Sequence, residues 1–283
     1  MPDRPTDPID IALIEDVGEG DITTQLVVSE TATAQARVVP REKAVIAGTM
    51  PAAEAFRRID PKLKVSVMVN DGTAVLGGET ILEVRGSTRS ILTGERVALN
   101  FLQRLSGVAT LTRAFVEAVG TNPAKIMDTR KTTPGLRALE KAAVVAGGGL
   151  NHRFGLFDMI LVKDNHLAAL SDIAHLSRAI RTAKQQNPST QVEVEAENLE
   201  QVRTLLQIEG IDVILLDNME TAEMREAIAL GRNHAVKFEA SGGVNLRTVR
   251  RIAATGVDFI SVGALTHSAP AINLSLELTP LTT

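Results

Sequence analysis

The chain has 283 residues, 44% hydrophobic and 23% charged, with a formal net charge of −4. That length allows one large domain or two moderate ones with real cores, and the mild negative charge excludes a generally basic protein that coats nucleic acid. Zero cysteines exclude disulfides, thiolate metal sites and a thiol nucleophile, and the lack of Trp and Tyr, with only seven Phe, leaves almost nothing for stacking on bases.

The opening stretch MPDRPTDPID lacks the basic and apolar regions of a signal peptide. No apolar run nears the roughly 20 residues of a membrane span, so a cytoplasmic protein is expected. Glu15, Asp16, Glu19 and Asp21 resemble a metal loop only loosely. Their spacing does not match an EF-hand and reads as helix capping and a solvated loop. From about Thr31 to Gly86, the β-like runs AQARVVP, KAVIAG, KVSVMVNDG and TILEVRG alternate with the turn signals Asn70-Asp71-Gly72 and Gly77-Gly78. This predicts a small, mostly antiparallel sheet. Neither turn presents a lysine, which argues against a lipoyl- or biotin-carrying hammerhead.

Glu95 to Val119 reads as a helix, with Val97, Phe101, Leu105 and Val108 at helical spacing and Thr93 as N-cap. Glu95 suits the positive end of the helix dipole, and Arg96 opposes it. Arg96 is then either a solvated surface cation or an arginine placed to reach an anion. After Pro123, apolar strands recur at KIMD, DMILVK, QVEVE, DVILLD, VKFEA and FISVG, separated by helical stretches such as LEQVRTLLQ and LRTVRRIAA. That alternation predicts an α/β fold with a parallel sheet covered on both faces, as an open doubly wound sheet or a (β/α) barrel. No GxGxxG lies between a strand and a helix, and no Walker A is present. Gly147-Gly148-Gly149 follows a helical stretch and reads as its terminator. His175 and His234 read as surface residues, and no cluster has zinc spacing.

In a (β/α) barrel, catalytic groups sit at the C-terminal ends of strands. The six ends here are Asp128-Thr129-Arg130-Lys131, Lys163-Asp164, Glu195, Asp217, Ser241-Gly242-Gly243 and Gly263. The first units supply cations, Arg130, Lys131, His152, Arg153 and Lys163, so that the stretch from Asp128 to His166 reads as a basic pocket for a small, multiply anionic ligand. Glu195 and Asp217 suit Mg²⁺ through its waters, or ribose hydroxyls. The plainer alternative is an interior ion pair with the cations. The last units supply backbone: Ser241-Gly242-Gly243, ahead of a helix expected from Leu246, and Val262-Gly263-Ala264 can both turn N–H groups to a phosphate.

Longer motifs carry a resemblance. EDVGEGDIT, ERVALNFLQRLSGVAT, DTRKTTPGLR, GGGLNHRFGLFDMILVKDNH, VEVE, ILLDN, EASGGV and SVGALTHS follow in an order that spans nearly the whole chain. The chain resembles the quinolinate phosphoribosyltransferase family, also called nicotinate-nucleotide pyrophosphorylase (carboxylating). The resemblance implies an N-terminal mixed α/β sandwich domain over 1–107, joined by C-terminal residues 268–283. It also implies an incomplete, about seven-stranded β/α barrel over 108–267 that carries the active site. Thr129, Arg130, His152, Arg153 and Lys163 would bind quinolinate, with Arg96 reaching in from the partner of a homodimer that shares its sites and could assemble further. Lys131, Glu195 and Asp217 would be the catalytic groups. Phosphoribosyl pyrophosphate would be held by these three and Lys163, with Mg²⁺ at Glu195 and Asp217 through water. Its 5′-phosphate would lie at Ser241, Gly242, Gly243, Val262, Gly263 and Ala264, with His267 beside it. The implied reaction joins the ribosyl group to the pyridine nitrogen and expels the 2-carboxylate as CO₂, giving nicotinate mononucleotide for de novo NAD biosynthesis. Two other readings stand beside it: a related phosphoribosyltransferase for nicotinate or a molybdenum-linked ligand, and a non-catalytic barrel that binds phosphorylated ligands.

Overall fold

The computed structural model describes residues 7–169 and 172–281. The first six residues of the opening stretch and the last two of the C-terminal segment lie outside the described residues. The chain divides into two compact units. One comprises Met1–Arg113, Thr132–Gly148 and Thr266–Thr283, and the other comprises Ala114–Lys131 and Gly149–Leu265.

The first unit holds strands β1 (Thr33–Pro40), β2 (Ala44–Val45), β3 (Lys64–Val67), β4 (Ala74–Val75) and β5 (Leu82–Ser87). An antiparallel sheet runs from the C-terminal strand Leu274–Pro280 through β1 and β5 to β3, and β2 pairs with β4. Alternation along β1 buries Ala34, Ala36 and Val38 completely, the pattern of a sheet with one wet face. The expected small antiparallel sheet is therefore present, and the chain's C-terminus completes it. The acidic group near the start acts through capping: the side chain of Asp21 accepts from Thr24 N–H to start the helix Ile22–Val27.

The long helix runs Thr88–Val119, so it starts well before the expected Thr93 cap. Thr93 lies inside it, and its Oγ1 donates to the Arg89 carbonyl at 3.0 Å. Low helix propensity in TRSILTGE hid this start from the sequence, and tertiary packing overrides it. Ile91 is fully buried, and a Cβ on Gly94 would come within 2.9 Å of the Phe56 ring. Arg96 is consequently beyond the first turn, and the expected conflict with the helix dipole does not arise. Further along, a Cβ on Gly107 would collide with the backbone carbonyl of Pro270, so only glycine permits this close approach.

Segment 132–148, within the bounds expected for the barrel domain, groups with the first unit by its contacts, and one buried carboxylate bonds it there. Glu140, on the helix Arg137–Ala146, has no solvent exposure. It accepts from Arg104 Nε and Nη2 at 3.0 and 2.8 Å and from Thr133 N and Oγ1 at 3.0 and 2.7 Å. Arg104 Nη1 also donates to the Ala269 carbonyl at 3.0 Å, which ties three separate stretches of chain together. A buried carboxylate is tolerable only when paired and hydrogen-bonded this fully.

The second unit contains β6 (Lys125–Met127), β7 (Ile160–Val162), β8 (Val192–Ala196), β9 (Val213–Asp217), β10 (Lys237–Ser241) and β11 (Phe259–Ser261). These are the six strands expected from sequence. They form a parallel sheet in the order β6-β11-β10-β9-β8-β7, left open between β6 and β7. Leu150 pairs with Met127 as a one-residue parallel bridge beside β6, a rudiment of a seventh strand. Side chains alternate cleanly. Val192, Val194, Ile214, Leu216, Ala240 and Ile260 are wholly buried on one face. The opposite face carries Glu193, Glu195, Asp217, Glu239, Ser241 and Ser261. An ordinary (β/α) barrel fills that inner face with branched apolar residues; this one encloses a cavity of about 280 Å³ reached by Met127, His152, Arg153, Glu193, Lys237 and Glu239.

Candidate active site

Most of the expected site residues fall in the second unit, at the C-terminal ends of its strands. Thr129 and Arg130 follow β6 half-buried, and Lys131 is exposed; Lys131 N–H donates to Thr129 Oγ1 at 3.1 Å. After β7, Lys163 places Nζ 4.0 Å from Glu195 Oε1. Glu195 Oε2 accepts from the Asp164 N–H at 3.1 Å. Glu195 thus has a cationic neighbour, as the plainer reading expected, but at the outer limit of an ion pair. Lateral register puts Glu195 level with Leu215, and Asp217 level with Ser241. Glu195 and Asp217 therefore share the inner face one rung apart, a step of roughly 6–7 Å along the strands.

His152 and Arg153 follow the Leu150 bridge. The His152 backbone N–H donates to Asp128 Oδ1 at 2.8 Å, and Asp128 is completely buried. Its ring turns into the barrel: Nε2 lies 2.9 Å from Glu193 Oε2 and 3.8 Å from Glu239 Oε2. Nδ1 accepts from the Arg153 N–H at 2.7 Å. The ring expected to meet a carboxylate of the ligand thus has protein partners at both nitrogens. Arg153 is 9% exposed, and its Nε has no hydrogen-bond partner among the described residues. Burial lowers its pKa, and the neighbouring Arg130 charge adds to this, against Glu193 and Asp158.

Glu193 and Glu239 went unnoticed in the sequence, although a charge in the middle of VEVE and of VKFEA was a readable sign. Burial pushes the Glu239 carboxyl up to about 8, reinforced by Glu193 and opposed by a bond from Ser261. Folded Glu239 therefore holds a proton that the unfolded chain releases near 4.5. Its contribution is fully present below that pH and is lost as pH rises through the folded value. Glu239→Gln is expected to flatten the fall in melting temperature between pH 5 and 8, a change visible by calorimetry at the two pH values.

The late turns differ in what they offer. Gly242 has φ +92°, and a Cβ there would collide with the Asn218 side chain and come within 3.0 Å of its backbone nitrogen. Asn218 itself has φ 54°; its N–H donates to the Ser241 carbonyl at 3.0 Å, and its Nδ2 donates to Asp217 Oδ2 at 2.8 Å. Gly242→Ala should therefore displace Asp217 as well as the glycine turn. The strained side chain should lower the melting temperature by several degrees against wild type, measurable by calorimetry. The helix expected from Leu246 begins only at Val249 and ends at Ala253, because the turn Asn245–Thr248 intervenes, with Asn245 N–H bonded to Thr248 Oγ1 at 3.0 Å. The Val262 N–H is taken by the Met127 carbonyl at 2.9 Å; Gly263 and Ala264 follow half-buried.

Arg96 and His267 belong to the other unit. Arg96 is exposed on the long helix, and exposed His267 has Nδ1 2.6 Å from Ser268 Oγ. His175 and His234 are exposed as expected, and Gly147 caps the helix Arg137–Ala146 as its terminator. His152, Glu193 and Glu239 are also the one group among the described residues with donor atoms close enough to share a metal ion, within 4.8 Å of one another.

Two family models meet on this chain. The model for the N-terminal domain of quinolinate phosphoribosyl transferase matches residues 21–106, and the model for its C-terminal domain matches 108–277. The chain belongs to the quinolinate phosphoribosyltransferase family. A Synechocystis protein described as a probable nicotinate-nucleotide pyrophosphorylase (carboxylating) is 44% identical over 269 residues, 94% of this chain and 90% of its own. A tobacco protein named quinolinate phosphoribosyltransferase (decarboxylating) 1b is 40% identical, covering 95% of this chain and 81% of its own. The crystal structure of NadC from Streptococcus pyogenes superposes with a TM-score of 0.90 at 40% identity, over 97% of this chain and 96% of that one. No helix among the described residues is long and apolar enough to cross a membrane.

Proposed function

We propose that this protein transfers the phosphoribosyl group of phosphoribosyl pyrophosphate to the ring nitrogen of quinolinate. Pyrophosphate leaves in that transfer, and loss of the 2-carboxylate as CO₂ then gives nicotinate mononucleotide for NAD biosynthesis in the cytoplasm. The observation that carries the reading is Arg153, a guanidinium removed from water and left with an unpartnered Nε among the described residues. Such a group calls for an anion that presents two oxygens to its fork. Arg130, Arg153 and Lys163 hold the two carboxylates, with His152 and Thr129 lining the pocket. Arg96 arrives from the second subunit of a homodimer. Large apolar side chains left exposed on the first unit, Ile22 at 83% and Leu26 at 83%, support a partner surface.

Lys131, Lys163, Glu195 and Asp217 take phosphoribosyl pyrophosphate, and the turns at Ser241–Gly243 and Gly263–Ala264, with His267, take its 5′-phosphate. Glu195 and Asp217 are hard oxygen donors on one face, a set that suits Mg²⁺ through its waters. When bound, Mg²⁺ neutralises charge on the departing pyrophosphate. Lys131 and Lys163 add to that stabilisation as the ribose carbon becomes oxocarbenium-like. Arg153 and Arg130 orient the ring so that its nitrogen faces that carbon. The positive ring nitrogen then stabilises the carbanion left by CO₂ until it takes a proton from water, so no protein nucleophile is required, in accord with a chain lacking cysteine. Incubation with quinolinate, phosphoribosyl pyrophosphate and Mg²⁺ should release nicotinate mononucleotide and CO₂ in equal amounts. Turnover of nicotinate but not of quinolinate would overturn the assignment.

A further inference from the structure

We propose that Glu193 and Glu239 are positioning residues: they hold His152 as a neutral imidazole with its proton on Nε2, and this strut sets the backbone and guanidinium of Arg153 for quinolinate. The proposal rests on the functional reading above for the ligand, but its geometry stands without it. Three elements converge on one residue. Asp128, after β6, takes the His152 backbone N–H at 2.8 Å. Glu193, on β8, faces Nε2 at 2.9 Å, and Glu239, on β10, stands behind at 3.8 Å. The fourth contact closes the frame: the Arg153 N–H donates to His152 Nδ1 at 2.7 Å.

That last bond decides the tautomer. A nitrogen that accepts from a backbone N–H carries no proton, so the proton belongs on Nε2, where it is donated to Glu193. The ring therefore joins the acidic floor of the barrel to the backbone of the residue that bears the buried guanidinium. Arg153 has little else to fix it, since its Nη1 reaches the Met159 carbonyl only at 3.5 Å. Glu193 and Glu239 are buried, and their side chains hydrogen-bond to each other. The carboxylates are thus placed here at a desolvation penalty that a purely apolar barrel floor would avoid. The donor atoms of His152, Glu193 and Glu239 lie within 4.8 Å of one another, a spacing that a divalent cation could also bridge. Since Nδ1 already accepts from the Arg153 N–H, a metal on Nε2 would leave the ring with no proton at all, whereas a proton on Nε2 bonded to Glu193 satisfies both nitrogens.

The test has two independent arms. Nitrogen NMR of the protein labelled at its five histidines, at pH 7, should contain one neutral Nε2–H ring that disappears in His152→Asn. This arm needs no turnover, so it holds or fails whatever the substrate proves to be. In kinetics, Glu193→Met should raise the KM for quinolinate about tenfold or more, because the ring loses its acceptor. The KM for phosphoribosyl pyrophosphate should stay within about threefold. Glu193→Gln, which keeps an oxygen for Nε2, should recover most of that loss, a difference that general weakening of the fold would not produce. A charged or Nδ1–H ring at His152 would overturn the proposal. So would equal rises in both KM values, or a stoichiometric metal ion in the purified protein.

Discussion

Replacing Arg153 by alanine is expected to weaken quinolinate binding about a hundredfold while leaving phosphoribosyl pyrophosphate within about threefold. Three observations set the size of the effect. The side chain is 9% exposed, its Nε is unpartnered among the described residues, and burial together with Arg130 already lowers its pKa. The free protein therefore bears the desolvation of a charge that only the ligand relieves. A carboxylate that meets the guanidinium fork makes charge-assisted bonds worth roughly 1.5–3 kcal/mol each, and about 2.7 kcal/mol corresponds to two decades in affinity. Arg153→Lys should not restore the loss, since an ammonium offers one point of charge where the fork offers two parallel donors. Calorimetric titration of each substrate separately checks the selectivity. A comparable loss for both substrates would refute the division of the pocket into a carboxylate half and a phosphoribosyl half.

The strands of the second unit were legible because each is a short, nearly continuous apolar run bounded by charge or glycine, the mark of a parallel sheet buried on both faces. All six runs read from sequence became β6 to β11. The start of the long helix was not legible. Thr88 to Gly94 has poor intrinsic propensity, and what makes it helical is packing of Ile91 and Gly94 in the first unit. Segment 132–148 lies within the barrel bounds that the resemblance implies, and it groups by contacts with the first unit, where Glu140 meets Arg104 across 36 residues, a contact that no local pattern announces.

For the site, strand-end reading located the groups at the mouth of the barrel and missed those deeper along the same inner face. Glu195 and Asp217 end their strands and were visible. Glu193 and Glu239 sit in mid-strand, where period-2 alternation assigns them to the inner face once the direction of that face is known. Their neighbours Val192, Val194 and Ala240 are wholly buried on the other side, so a valine-glutamate alternation in a doubly covered sheet already implied an acidic interior. His152 shows the complementary limit. Its motif suggested a ligand-binding imidazole, whereas the ring orientation depends on Glu193, 41 residues away in the chain.

Arg96 allows the sharpest test of the proposal that two subunits build one site. Arg96→Ala and Lys131→Ala are each expected to abolish most activity, the first by removing a carboxylate contact and the second a charge on the departing pyrophosphate. If Arg96 serves the neighbouring subunit, a heterodimer of the two variants contains one site with both residues intact and one with neither. Random exchange of equal amounts places half the subunits in such heterodimers, so about a quarter of wild-type activity should return. If Arg96 serves its own subunit, every site in the mixture lacks one residue and nothing returns. Exposure of Arg96 on the long helix leaves its side chain free to reach outward, which is what service in trans requires. Subunit exchange must be established independently, by mass spectrometry of subunits with different tags. With exchange proven, the absence of rescue would place Arg96 in its own subunit's site, beside Arg130, Arg153 and Lys163.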